Sequence, residues 1–176
     1  MIAAAVLFSP LEALAMENPM RPGLWEVKTR LKRGNSEVDP QAELKKSMAD
    51  MPPERRKMME SMMAKSGMAI GTSKDSGTQL CYTKETLARK DFGTDPDRHC
   101  ETTIRDKTSK HVAMDFKCKD GSTGTGEWNF PSSTAYDGKM KFQKKGGQTS
   151  EIALNGRFID ANCGDVRPLE YMKRNP

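Results

Sequence analysis

The chain has 176 residues, of which 35% are hydrophobic and 30% charged, and its formal net charge is +5. This length suits one domain with a small core, for which covalent cross-links are expected. Lys and Arg residues are interspersed with acids along the whole chain, which predicts a solvated surface and argues against nucleic-acid binding. Beyond the N-terminal region, no segment is apolar enough to form a transmembrane helix.

The first fifteen residues have the pattern of a secretion signal. Ile2–Phe8 is a short apolar run, and Ala13–Ala15 has the small residues typical of a cleavage site. No basic residue precedes the apolar run, and a buried N-terminal segment is the alternative interpretation. We expect residues 1–15 to be a signal peptide cleaved after Ala15, and residues 16–176 to form a single disulfide-linked, β-rich domain.

The first predicted element of the mature chain is a strand. Residues Pro22–Lys32 alternate in side-chain character, and Trp25 and Val27 lie on the inward-facing side of the alternation. The following residues, Gly34–Asp39, are polar and predict a loop.

A helical insertion is expected after this strand, over about residues 40–67. The segment has few β-branched residues and many of Ala, Glu, Lys, Arg and Met, a composition typical of helices. The Pro52-Pro53 pair divides the segment, because proline is tolerated at a helix start but not inside a helix. The pattern predicts one helix over Gln41–Ala49 and a second over Pro53–Lys65.

The remainder of the chain predicts six further strands, separated by turn sequences of hairpin length. Such connections indicate an antiparallel meander. The expected fold is therefore mainly β (α+β), a curved antiparallel sheet of about six to eight strands with a Met-rich helical insertion after the first. The predicted strands are Thr78–Tyr82, Glu101–Asp106, Val112–Lys117, Gly124–Phe130, Tyr136–Gln143 and Thr149–Ile159.

The four cysteines predict two disulfides. If the strands of the 101–117 hairpin pair so that Cys100 faces Cys118, their apolar residues collect on one side of the hairpin. Facing Cα atoms of antiparallel strands are about 4.5–5.5 Å apart, a distance that a disulfide can span. Cys81 then pairs with Cys163 by elimination, although four cysteines allow three pairings. No C-x-x-C element is present, which argues against a zinc site or a redox-active dithiol.

Both histidines of the chain lie in or beside the same predicted hairpin. His99 lies beside the predicted disulfide and His111 at the hairpin tip, about 26 Å away, so they cannot form one metal site or catalytic pair. The register also turns Asp106 toward the apolar side, opposite Val112, and we place it at the strand end, entering the turn. No catalytic constellation emerges, so an enzyme is not expected; an unrecognised hydrolase is an alternative.

Trp128 belongs to the first candidate ligand-binding surface. A hairpin register that pairs Glu127 with Lys139 places Trp128 opposite Gly138, with Tyr136 nearby. One interpretation is an aromatic ring that covers bare glycine backbone. The other is a shallow groove for a small apolar ligand, formed by these two aromatic residues and the glycine.

Four methionines form the second candidate surface. Met58, Met59, Met62 and Met63 make two i,i+4 pairs on the predicted second helix. Packing against the sheet is one interpretation, since Met fills irregular gaps in cores. A flexible face through Met58 and Met62 that binds a ligand or partner is another. The third is a soft-metal site of all four, because thioethers select Cu(I); no other cofactor is expected.

Several motifs occur in one order along nearly the whole mature chain. They are MRPGLWEVKTRLK, MPPERRKMMESMMAKSGM, QLCYTKE, the HC pair, FKCKDGSTGTGEW, Tyr136-x-Gly138-x-Met140 and LNGRFIDANCGD. This set resembles the domain of unknown function 3617 family, small proteins exported by Gram-negative bacteria. The resemblance implies a periplasmic location and four structural cysteines, and it implies no activity or catalytic residue. We expect a non-enzymatic module that binds a small apolar ligand or a periplasmic protein, with Cu(I) handling as the main alternative.

Overall fold

A computed structural model describes residues 19–71, 76–88, 100–147 and 149–169. Within these ranges, nine strands form one antiparallel sheet, accompanied by three helices. The predicted signal peptide and His99 lie outside the described residues. None of the described helices has the length and apolar character needed to span a bilayer.

The mainly β fold with an early helical insertion is confirmed, although a short strand, Ser36–Val38, separates the first strand from the helices. The sequence does not predict the strands Ser36–Val38 and Met68–Ile70 or the helix Lys84–Leu87, because segments of three or four residues are too short to show a periodic pattern. The loop predicted over Gly34–Asp39 is therefore wrong in part. The strands are β1 (Gly23–Arg33), β2 (Ser36–Val38), β3 (Met68–Ile70), β4 (Thr78–Tyr82), β5 (Cys100–Lys107), β6 (His111–Cys118), β7 (Thr123–Ser132), β8 (Ala135–Gln143) and β9 (Thr149–Asp160). The helices are α1 (Pro40–Ala49), α2 (Pro53–Lys65) and α3 (Lys84–Leu87).

The strand order is β3-β4-β1-β9-β8-β7-β6-β5, and β2 pairs with the end of β1. Strands β5 to β9 form the expected meander, in which each strand pairs with the next. Strand β1 lies between β4 and β9. The first and last of the described strands are therefore neighbours in the sheet.

Helix α1 provides hydrogen-bond partners for the edge of β1 beyond the point where its pairing with β4 ends. Val27 is the last residue of β1 that pairs with β4. Beyond it, Gln41 of α1 takes the place of a strand: its Nε2 donates to the Val27 carbonyl at 3.5 Å, and its Oε1 accepts from the Thr29 amide at 3.2 Å. Asp39 caps this helix by accepting a hydrogen bond from the Ala42 amide. The side chain of Gln41 thus satisfies backbone groups that no strand covers.

Trp25 is at the centre of the core, and its predicted inward orientation is confirmed. Its ring contacts those of Tyr82, Tyr136 and Phe158 at centroid distances of 6.2, 5.5 and 5.9 Å. Its indole N–H donates to the Arg21 carbonyl at 2.9 Å. The aromatic cluster holds together β1, β4, β8 and β9, and three of these strands, β1, β8 and β9, carry residues of the polar groove described below.

Two disulfides are present, with the pairing expected from the sequence. Cys100–Cys118 closes the hairpin of β5 and β6, across 18 residues. Cys81–Cys163 spans 82 residues and ties β4 to the segment that follows β9. One bridge therefore acts locally, and the other joins distant parts of the sheet.

The expected position of Asp106 is wrong. A β-bulge between Ile104 and Asp106 shifts the register, so that Asp106 lies opposite Ala113 and not Val112. A shift of one residue turns a side chain to the other face of a sheet. The carboxylate therefore lies on the polar face, where it bonds to His111.

Candidate functional site

Three aromatic rings pack directly against glycines of the neighbouring strand. A Cβ atom added at any of these glycines would come within 2.0–2.8 Å of the facing ring. The rings therefore occupy the volume that side chains would otherwise fill, which explains why glycine is required. The facing pairs are Phe116–Gly124, Trp128–Gly138 and Tyr136–Gly156.

Of the two interpretations of Trp128, Tyr136 and Gly138, this arrangement favours the one in which an aromatic ring covers bare glycine backbone. Both aromatic side chains are buried in the core. The Trp128 ring covers Gly126 as well as Gly138. The proposed apolar groove is therefore filled by the protein's own indole ring, since covering bare backbone also buries the ring.

The four methionines of α2 separate into two pairs. Met58 and Met62 are 65% and 60% exposed, whereas Met59 and Met63 are partly buried. Packing therefore accounts only for the second pair. Helix α2 packs on β3, and β7, which carries Trp128, lies five places further along the sheet. The methionines and the Trp128 ring are therefore parts of different regions and do not form one site.

A groove of about 390 Å³ lies on the polar face of the sheet, across β1, β9, β8 and β7. At its centre, Ala153 lies opposite Arg30 on one side and opposite Lys139 on the other. Thr125 on β7 is a second small residue in its lining. Ala153 and Thr125 form a low floor, because their short side chains leave space between the long charged side chains around them.

Charged side chains of both signs surround this groove. Five cations against three acids leave a surplus of two positive charges. The cations are Arg30, Lys32, Arg105, Lys139 and Lys141, and the acids are Glu37, Glu127 and Glu151. Their side chains share one face because alternate residues of a strand point the same way.

Not all of these cations are neutralised by a neighbouring acid. Arg30, Arg105 and Lys141 approach carboxylates at 2.9, 2.9 and 3.8 Å. In the part of the chain that the structure describes, Lys32 and Lys139 have no ion-pair partner. The groove therefore carries a formal excess of positive charge, although Lys32 lies opposite Glu37 and Glu151, and Lys139 opposite Glu127, on the neighbouring strands.

His111 bridges two carboxylates at one end of the groove. Its Nδ1 is 3.0 Å from Asp106 Oδ2, and its Nε2 is 3.2 Å from Oε1 of Glu127, a groove residue. Hydrogen bonds to Asp106 and then to Glu127 raise the pKa of His111, since both favour the imidazolium. The sequence does not predict this bridge, because it depends on the bulge beside Asp106 and on the pairing of β6 with β7.

We predict that the His111 bridge stabilises the fold more at acidic than at alkaline pH. Because the folded-state pKa is raised above the unfolded value of about 6.5, the contribution is complete below that value and is lost as pH rises through the folded pKa. Urea unfolding of wild type and His111→Gln at about pH 5.5 and about pH 8.5 measures it. The substitution should cost more stability at the lower pH; an equal loss at both would contradict the prediction.

The described residues do not form a metal centre from the usual His, Cys, Asp or Glu ligands. No group of three or more His, Cys, Asp or Glu side chains is arranged among them to hold an ion. The two nitrogens of His111 contact different carboxylates on opposite sides of the ring, so this cluster does not converge on one point.

Residues 20–163 match the family described as "Protein of unknown function (DUF3617)". The chain belongs to this family. A similar protein, "Uncharacterized protein in lpd-3 5'region" from Pseudomonas putida, is 33% identical over 132 residues, covering 68% of this chain and 87% of the relative. No solved structure matches the chain. The DUF3617 match extends from just before β1 to Cys163, and so includes every strand of the sheet and all four cysteines.

Proposed function

We propose that this DUF3617 protein is a non-enzymatic binding module of the periplasm, and that it holds a small ligand with two or more anionic groups in the polar groove. The observation that carries the proposal is the low floor at Ala153, with Arg30 and Lys139 directly beside it on the neighbouring strands. An anionic group above Ala153 would lie within reach of both cations.

The small energy of each exposed charge–charge contact favours a ligand with several anionic groups over one with a single carboxylate. Each contact between exposed charges is worth only about 0.2–1 kcal/mol. A single group would therefore be held weakly, whereas several groups could use Lys32 and Lys141 as well as the central pair. This ligand class replaces the small apolar ligand expected from the sequence, because the apolar face of the sheet is occupied by its own rings.

The disulfides support the periplasmic part of the proposal. Two bridges, Cys81–Cys163 and Cys100–Cys118, involve all four cysteines of the chain. Disulfides form and persist in oxidising compartments, of which the bacterial periplasm is one. This agrees with the apolar N-terminal segment and its small-residue cleavage pattern.

The surroundings of His111 support the non-enzymatic part. A histidine that activates a nucleophile needs one ring nitrogen directed at a hydroxyl or thiol. Among the described residues, both nitrogens of His111 are bonded to carboxylates, Asp106 and Glu127. This arrangement favours a structural ion pair over general-base chemistry.

Denaturing extraction of the protein purified from periplasm, followed by mass spectrometry, tests the proposal. Wild type should release a small compound with two or more anionic groups. Lys139→Glu should release about tenfold less of it, because the reversal removes one attraction and adds a repulsion of similar size, together about 1.4 kcal/mol.

Lys28→Glu is the matched control. Lys28 lies on the same face of β1, opposite Asn155, but it does not line the groove. Both substitutions change the net charge equally, so Lys28→Glu should retain the compound. Equal loss from the two variants, or release of no anionic compound by wild type, would contradict the proposal.

A further inference from the structure

The most exposed large apolar side chains among the described residues are Met58 and Met62 of α2. No residue of this helix is buried, so core packing does not require methionine at these two positions. Leu, Lys, Glu or Gln would be equally good helix formers there. The presence of two thioethers in solvent is therefore not explained by the fold.

The spacing of these two residues allows their sulfur atoms to converge. Met58 and Met62 are separated by four residues of a continuous α-helix, which places them about 6 Å apart along its axis and on the same face. A methionine side chain has three rotatable bonds. Both sulfurs can therefore reach a common point above the helix surface.

The helix that carries this pair is held in place independently of any ligand. The guanidinium of Arg56 donates to the carbonyls of Met48, Ala49 and Met51 at 3.0, 3.1 and 3.3 Å. These acceptors lie at and just beyond the C-terminal end of α1, where carbonyls lack the i+4 amide donor of a continuing helix. Arg56 thus locks α2 to α1 and presents the Met pair on a preformed support.

We propose that Met58 and Met62 form a Cu(I) site on the exposed face of α2. Soft thioether ligands select Cu(I) over metals that prefer oxygen ligands. Binding is coordination only: each sulfur shares a lone pair with the ion, no electron is transferred and no proton is released. With two protein ligands the site is open, and solvent or a small ligand completes the coordination.

Anaerobic titration of the mature protein with Cu(I), in competition with a chromophoric Cu(I) chelator, tests the site. Met58→Leu/Met62→Leu should weaken binding by more than about 10-fold, because losing even an outer-shell partner costs roughly 10–100-fold in metal affinity. Leucine keeps the helix propensity and the apolar character, and circular dichroism checks that the variant folds.

Met59→Leu/Met63→Leu is the matched control, with the same residue type, spacing and helix but partly buried side chains. This variant should bind Cu(I) as wild type does. Binding should also be unchanged between about pH 5.5 and about pH 8, since thioethers carry no proton, unlike Cys, His or carboxylate ligands. Absent binding, equal weakening in both variants, or an affinity that rises with pH would overturn the proposal.

Discussion

Replacing Cys81 and Cys163 by alanine should lower the free energy of unfolding by about 4.5 kcal/mol on the chain-entropy model. This bridge closes a loop with a sequence separation of 82, so its loss frees most of the described β-region in the unfolded chain. Alanine is preferred to serine because Cys81 is buried, and a buried hydroxyl without a partner would add its own penalty. Urea unfolding under non-reducing conditions measures the change.

The second disulfide provides the comparison. Cys100–Cys118 spans only 18 residues within one hairpin, and its removal should cost about 3 kcal/mol on the same model. The expected result is thus a difference of about 1.5 kcal/mol between the two double variants. Equal losses, or a larger loss for the hairpin bridge, would contradict the loop-length explanation.

Gly156→Ala should destabilise the protein by about 2 kcal/mol, although it adds a single methyl group. The new Cβ would lie 2.0 Å from Cε1 of the Tyr136 ring and 2.4 Å from Cζ. This ring cannot move aside easily, because it is buried, packs on Trp25 at 5.5 Å and shares a hydroxyl contact of 3.4 Å with Tyr82. Thermal or urea unfolding of the single variant measures the loss.

A double-mutant cycle separates steric conflict from other effects of alanine. In a Tyr136→Leu background, Gly156→Ala should cost much less, because the ring that opposes the new methyl group is gone. The backbone alone would favour alanine, which restricts the unfolded chain. The same loss with and without Tyr136 would show that ring contact is not the cause.

These core contacts also bear on the polar groove. Strands β8 and β9 carry Tyr136 and Gly156 on one face, and Lys139 and Ala153 on the other. The close packing of the Tyr136 ring on Gly156 therefore helps to set the register that places Ala153 beside Lys139. A core variant that slips this register would move the groove residues as well.

Local patterns in the sequence were sufficient for much of the fold. Alternation of apolar and polar residues identifies the long strands and the inward orientation of Trp25 and Val27, because side chains of a strand point alternately to its two faces. A hairpin brings nearby residues together, so the facing of Cys100 and Cys118 could be worked out from the register alone. Helix composition and Pro52 likewise define the two main helices.

The groove and the exposed methionine pair depend on tertiary structure. Arg30 and Ala153 are neighbours only because β1 pairs with β9, and no local pattern specifies the register of strands so distant in the chain. Helical spacing groups the four methionines. The packing of α2 on β3, together with the hydrogen bonds from Arg56 to the end of α1, determines that Met58 and Met62 face solvent. Periodicity describes which residues share a face of one element; which faces meet is decided by packing between elements.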